Sequence, residues 1–357
     1  MLYFSIERDG IEGATTKARD WRPDVCLSNQ VGILAAEQAL LDLTPIVKVI
    51  HGHYGTCIGG HKMHLFPTSV PCDRTFGPAC LALYLPRHCG QLSVRNMLAQ
   101  YSYAREQNSI LDDYASLTVT SEYMKGQYVL HGVSADRIDV NPLFPTIPRP
   151  EEPASLKSPE SECVLFLGRM TASKGGSFLV RAVHDASRRL GRRVQVVMAG
   201  DGYEKDRLVR LETELDVDAV FPGWVDSEGR AALLRRASLL AVPSVWHEPF
   251  GLVGLEGGRY GVPSVAFDVG GISAWLRHGV NGLLVPARPP QPEALGEALA
   301  TALGDRDTLD SLRRGAIEVA ETLSVERHVD ALEHALIRAA SSPRRRRTAA
   351  DASQLRR

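Results

Sequence analysis

Between Cys163 and Pro286 the chain alternates short apolar runs with longer stretches of mixed polarity, joined by glycine-punctuated connections. Val164-Leu-Phe-Leu167, Gln195-Val-Val-Met-Ala199, Ala219-Val-Phe221, Leu239-Leu-Ala-Val242 and the run after Gly261 predict buried strands. An amphipathic stretch beyond Gly176, then Tyr203 to Leu215 and Leu252 to Tyr260, predict helices. Strand and helix in regular alternation predict a parallel sheet wrapped by helices. Pro292 to Leu303 and Arg306 to Ala340 predict the helices that close this unit. In such a sheet the loops at the carboxyl ends of the strands line the ligand crevice, so the chemistry is sought there.

Two of those loops are unusual. Glu248-Pro-Phe-Gly-Leu-Val-Gly-Leu-Glu256 places two carboxylates eight positions apart, one ahead of a turn and one inside the predicted helix. The helix start at Phe250-Gly251 offers unpaired N–H groups to an anion. An ionised carboxylate only accepts, which suits the paired hydroxyls of a sugar or a ribose. Glutamates at this spacing flank many ordinary helices as solvated charges; the Pro-Phe-Gly insert and the following Gly261-Val-Pro set this pair apart. Upstream, Gly168-Arg169-Met-Thr-Ala-Ser-Lys174-Gly175-Gly176 follows a strand and precedes a helix. Arg169 offers a planar fork to phosphate oxygens, Lys174 a mobile point charge, and the glycines let backbone approach an anion. When a sugar–phosphate bond breaks, negative charge collects on the leaving phosphate, and fixed cations lower the barrier.

Together these segments resemble the nucleotide-sugar glycosyltransferases of the two-domain GT-B fold, in the large retaining group known as family 4 or group 1. Glu248 to Glu256 matches the E-x7-E signature, Gly168 to Gly175 the G-R-x4-K-G motif, and Gly270-Gly271 and Asn281-Gly-Leu-Leu-Val-Pro286 two further motifs. The resemblance implies an α/β fold in which two Rossmann-like parallel-sheet domains face a cleft. It implies that Gly168, Arg169 and Lys174 grip the diphosphate, Glu256 the ribose, and Glu248 with Phe250, Gly251 and Leu252 the donor sugar. Val225, in the loop from Gly223, would cup the base through backbone groups. The donor implied is a nucleoside-diphosphate sugar, the acceptor a saccharide or lipid-linked sugar, the outcome retention, with no metal required for catalysis. One position departs: the family carries Glu two residues after Ile272, and this chain has Ala274.

The amino-terminal part, 1–150, resembles the acceptor-side domain. Arg22-Pro-Asp-Val-Cys-Leu-Ser-Asn29 is similar to the family's P-D-V strand, and Pro45-Ile-Val-Lys-Val-Ile-His51 to the strand ending in a crevice histidine. Ala115 to Ser121 and Arg137 to Asn141 are similar to its last pieces. Only about twenty residues stand ahead of the P-D-V strand, where a full sheet half of ordinary domain size requires far more. This domain is therefore expected to be incomplete, through a start at an internal Met or as a natural half-sheet variant. His51 is the candidate for contact with the transferred sugar or acceptor, with His53 the alternate; a rim histidine satisfied by backbone is the competing reading. Cys57, Cys72, Cys80 and Cys89 fall within 57–89 at spacings x14, x7 and x8, interleaved with His61, His64 and His88. Thiolates with imidazoles suit a structural zinc clamp; buried reduced thiols and disulfides are the alternatives.

Composition fits a soluble cytoplasmic enzyme: 44% hydrophobic and 23% charged residues, with no apolar stretch of membrane-spanning length. The formal charge of −1 hides a split, because six of the 41 basic residues but one of the 42 acidic ones lie in Ser341 to Arg357, leaving the body net −6. A basic tail, 341–357, suits anionic lipid, whereas an acidic body without a basic stripe argues against nucleic acid. The Pro-, Glu- and Ser-rich segment 151–162 reads as a hinge linker to the nucleotide-sugar-binding domain, 163–340. Against the transferase stands a reading from another class, a non-catalytic nucleotide-sugar-binding protein or partner subunit.

Overall fold

The computed structural model describes residues 6–29, 33–150 and 162–341. The linker over 151–162 and the basic tail over 341–357 fall outside these residues except at Glu162 and Ser341. Two parallel sheets are present, of four and six strands.

Among the described residues the first half begins with α1 (Ile6–Trp21), which is kinked at Gly10, followed by β1 (Cys26–Asn29), α2 (Leu34–Leu41) and β2 (Ile46–Ile50). A small antiparallel hairpin, β3 (Met63–His64) with β4 (Val70–Pro71), and α3 (Ala79–Tyr84) then occupy the cysteine-containing segment, elements too short to show a periodicity. Helix α4 (Val94–Ser109), β5 (Ser116–Val119), α5 (Glu122–Leu130) and β6 (Ile138–Val140) complete this half. The sheet runs β1-β2-β5-β6, with Val47 level with Ser116 and Leu117 with Ile138. Strand β2 is buried along its whole length, as parallel strands covered on both faces are. Lys48 at its centre is therefore 2% exposed and must be paired; Glu37 of α2, fully buried, takes its ammonium. The β1 margin carries exposed Leu27, with Trp21 and Ile33 exposed nearby in the chain.

In the second half, β7 (Cys163–Leu167), α6 (Gly176–Leu190), β8 (Gln195–Ala199), α7 (Lys205–Leu215), β9 (Ala219–Gly223), α8 (Ser227–Arg236), β10 (Leu239–Val242), α9 (Val253–Arg259) and β11 (Ser264–Phe267) alternate as the periodicity predicts, with α8 a helix it does not name, and β12 (Gly282–Val285) follows β11 with no α-helix between. Helix α6 shows why: Leu179, Ala182, Val183 and Ala186 recur at helical spacing and are all buried. The strand order is β12-β11-β10-β7-β8-β9. The chain moves outward from β7 to β9 and then returns to lay β10 beside β7, so the crossing direction reverses between β7 and β10. That reversal opens a crevice beyond their carboxyl ends.

Helices α10 (Pro292–Gly304), α11 (Arg306–Thr322) and α12 (Val325–Ser341) follow. The single run expected from Arg306 to Ala340 is broken at Leu323-Ser324, where Leu323 turns to extended backbone and Ser324 restarts the helix by accepting from the Arg327 N–H. Helix α12 lies on the first sheet: Ala335 and Ala339 pack against Val47, and Arg338 pairs with Asp139. Among the described residues no helix is long and apolar enough to cross a membrane.

Candidate functional site

The crevice between β7 and β10 holds a cavity of about 280 Å³ lined by Lys174, Ser244, Trp246, Glu248, Phe250, Gly251 and Leu252, with His51 and Thr120 reaching it from the first half. Its two loops touch. Gly175 has φ +70°, and a Cβ there would stand 1.8 Å from the Pro243 carbonyl oxygen, so only glycine lets the β7 loop lie against the β10 loop. That approach brings the Lys174 ammonium onto Glu248 Oε1, which also accepts from the Ser244 hydroxyl at 2.7 Å. Lys174 further lies 5.4 Å from the centre of the Trp246 ring, a cation–π distance. Gly251 turns the chain into α9 with φ +88°, where a Cβ would meet Ile272 at 2.6 Å. Phe250 beneath it is buried, its carbonyl accepting from the Trp275 indole at 2.6 Å.

The expected residues thus separate into two groups. Lys174, Glu248, Phe250, Gly251, Leu252 and His51 share one cavity; Gly168, Arg169, Val225 and Glu256 stand outside its lining. Arg169 is exposed where the chain leaves β7, and Val225 is half-buried beyond β9. Glu256 is buried in α9 and held from two sides, accepting from Arg230 Nη1 at 3.1 and 3.0 Å and from Thr146 Oγ1 at 2.9 Å. Burial pushes its carboxyl above the ordinary range, against the pull of Thr146 and Arg230. Helix α9 spans seven residues, Val253–Arg259, and begins just beyond the Gly251 turn. Ala274 sits exposed on the turn after Gly271, with no carboxylate in its place.

His51 Nε2 is 3.0 Å from Asn29 Oδ1, and burial lowers its pKa, with His328 adding to the effect. The alternate, His53, is buried, its Nε2 bonded to the His247 carbonyl at 2.9 Å; burial drives its pKa down to about 3, so it is neutral at pH 7. His51 also lines a second cavity of about 370 Å³, whose polar groups include Lys48, Tyr54, Gln100, Tyr103 and Gln107. Cys57, Cys72, Cys80 and Cys89 do converge, all lining one small cavity with His64, but as free thiols. Among the described residues no three Cys, His, Asp or Glu side chains are disposed to hold a metal ion, so the expected zinc clamp has no ligand set here.

Trp246, Ser244, Thr120, Arg230 and Thr146 escaped sequence reasoning. Ser244 and Trp246 are chain neighbours of Glu248, so adjacency was the signal that could have found them. Nothing local to Thr120, Thr146 or Arg230 points to either carboxylate.

Residues 148–319 match the family model described as glycosyl transferases group 1. This part of the chain is similar to the group 1 glycosyltransferases. The group 1 region contains β7 to β12, and with them both loops of the cavity. A D-inositol 3-phosphate glycosyltransferase of Nocardia farcinica is 36% identical over 205 residues, covering 53% of this chain and 45% of that protein. A protein of the same name from Mycolicibacterium gilvum is 32% identical over 246 residues, covering 63% of this chain and 52% of that one. The chain spans about half the length of these curated relatives. Among solved structures, a glycosyltransferase of Rickettsia africae superposes with a TM-score of 0.66 at 14% identity, covering 96% of this chain and 85% of that one. Anabaena HepE in complex with UDP and glucose gives 0.63 at 18%, covering 94% and 83%. At these identities the likeness shows the fold, which is GT-B with two parallel Rossmann-like sheets.

Proposed function

We propose that this protein transfers a sugar from a nucleoside-diphosphate donor, of the UDP-sugar class, to a hydroxylated acceptor with retention of anomeric configuration. The observation that carries the reading is the meeting of Lys174 and Glu248 in one cavity at the point where the sheet reverses. The match of residues 148–319 to the group 1 family and the UDP and glucose held by HepE support the same reading.

In this account the donor diphosphate displaces the carboxylate of Glu248 from the Lys174 ammonium. Lys174 then stabilises charge on the departing β-phosphate, while Glu248 is released to accept from donor-sugar hydroxyls. Arg169, exposed at the end of β7, approaches the phosphates from the rim, and Gly168 leaves room for them. Glu256 exchanges an Arg230 contact for the ribose, and Val225 meets the base. The acceptor enters through the second cavity, where His51 stands between the two chambers. Attack on the face from which the phosphate leaves makes the phosphate itself the receiver of the acceptor proton.

A panel of UDP-, GDP- and ADP-sugars, scored by calorimetric binding and by release of nucleoside diphosphate, tests this. Saturable binding with turnover, and an axial or equatorial product matching the donor by NMR, is expected. Binding without turnover under every acceptor supports the non-catalytic reading instead.

A further inference from the structure

The loop carrying Glu248 belongs to the second half, yet much of its fastening comes from the first. The His247 carbonyl receives the His53 imidazole at 2.9 Å, and the Pro249 carbonyl receives Thr120 Oγ1 at 3.0 Å and Ser121 Oγ at 2.7 Å. The ring of Tyr123 stacks on the ring of His247 at 5.0 Å and 18°. On the remaining side stands Asp73 of the cysteine-containing segment, its Oδ1 in close contact with His247 Nε2 at 3.0 Å, outside hydrogen-bond geometry, and accepting from Arg288 Nη2 at 3.1 Å. His247 is 2% exposed and Glu248, its chain neighbour, 5%.

Asp73 is itself held on a braced turn. The Cys72 N–H donates to the Lys62 carbonyl at 2.8 Å, and the Lys62 ammonium donates to the Arg74 carbonyl, so both chain neighbours of Asp73 are tied to one residue. Lys62 is 1% exposed, and its own N–H lies 3.4 Å from Cys57 Sγ. The four thiols gather around the cavity that this turn borders. An exposed aspartate paired with an exposed arginine is worth little by itself. Set against a buried imidazole beside the sugar-facing carboxylate, the same aspartate meets a ring whose nitrogens have no hydrogen-bond partner.

We infer that Asp73 is a positioning residue for the donor site: the cysteine-containing segment reaches across the cleft and clasps His247, and through it fixes Glu248 opposite Lys174. The segment from Cys57 to Cys89 is thereby part of the sugar-transfer machinery and not a surface ornament. The assignment of a catalytic consequence rests on the transferase reading; the clasp itself does not.

The experiment compares the full chain with Asp73→Ala, Asp73→Glu and Arg288→Gln by hydrogen–deuterium exchange, and by UDP binding and turnover on the same preparations. Asp73→Ala should raise exchange about five- to tenfold in peptides over 244–252 while leaving those over β8 unchanged. It should also lower kcat about tenfold or more with a smaller change in KM. Asp73→Glu should recover most of both, and Arg288→Gln should give an intermediate rise in exchange. Unchanged exchange over 244–252 in Asp73→Ala overturns the clasp whatever the kinetics. A general rise including β8, not rescued by Asp73→Glu, overturns it too, because it would mark ordinary destabilisation. If the unaltered chain shows no turnover while the exchange difference stands, the clasp is supported and the transferase reading alone fails.

Discussion

The six-stranded and four-stranded sheets are made from the same parallel strand–helix units, but they gather their polar groups differently. The larger sheet brings Lys174 and Glu248 together with two short loops, each following one strand, at the single place where its strand order reverses. In the smaller sheet Ser28, Glu37 and Lys48 meet from β1, α2 and β2, and Tyr54 adds a hydroxyl to Glu37 at 3.2 Å from the loop beyond. A site built on loops at a reversal point is legible because its residues are close in sequence to the strands that aim them. A site built from buried pairs across elements becomes visible only once the chain is folded.

Removing one partner from each arrangement should therefore give different kinds of damage. The largest effect is expected from Lys48→Ala, which leaves the Glu37 carboxylate buried without its cation and should cost about 3–5 kcal/mol. Thermal or urea unfolding would register it as a loss confined to the first half; a change below about 1 kcal/mol would mean that the pair is not what orders that sheet. Lys174→Ala comes next, with a fall of roughly 10²–10³ in turnover, about 3–4 kcal/mol of transition-state stabilisation, and a smaller loss in unfolding than Lys48→Ala, because Glu248 keeps the Ser244 hydroxyl and faces the cavity. If it unfolds the protein instead, the lysine serves the fold and the contrast between the halves disappears.

Gly175→Ala sharpens the same contrast, because it disturbs only the contact between the β7 and β10 loops. A left-handed backbone and a clash with the Pro243 carbonyl should together cost about 2–3 kcal/mol and weaken nucleotide binding, measurable by calorimetry. The smallest effect is a pH dependence. His53 has a folded pKa of about 3, below its unfolded value near 6.5, so the unfolded state binds more protons as the solution is acidified. The stability it contributes is complete above pH 6.5 and lost as pH falls toward 3, about 1–2 kcal/mol between pH 7 and pH 5. His247, also depressed by burial, adds in the same direction. His53→Gln, which keeps a donor for the His247 carbonyl, should flatten that profile.

The strands and helices of the second half were legible from periodicity, and the crevice loops from Gly, Lys and Glu placed just beyond apolar runs. Glu256 was placed correctly on its helix, but its neighbours were not foreseen. Arg230 lies on α8 and Thr146 beyond β6, so their approach to one carboxylate is a product of packing that no local spacing encodes. The cysteines were seen as a group from spacing alone, and they do gather; that Asp73 beside them reaches His247 depends on how two sheets meet. The break at Leu323-Ser324 was missed because apolar residues recur at helical spacing on both sides of it.

The most direct test is a crystal structure of the full chain with UDP bound. The account predicts the diphosphate in the cavity between β7 and β10, its β-phosphate within about 3 Å of Lys174 Nζ, with Glu248 freed from the lysine. UDP bound elsewhere, or bound in that cavity with the Lys174–Glu248 pair intact and the phosphates distant, would contradict it.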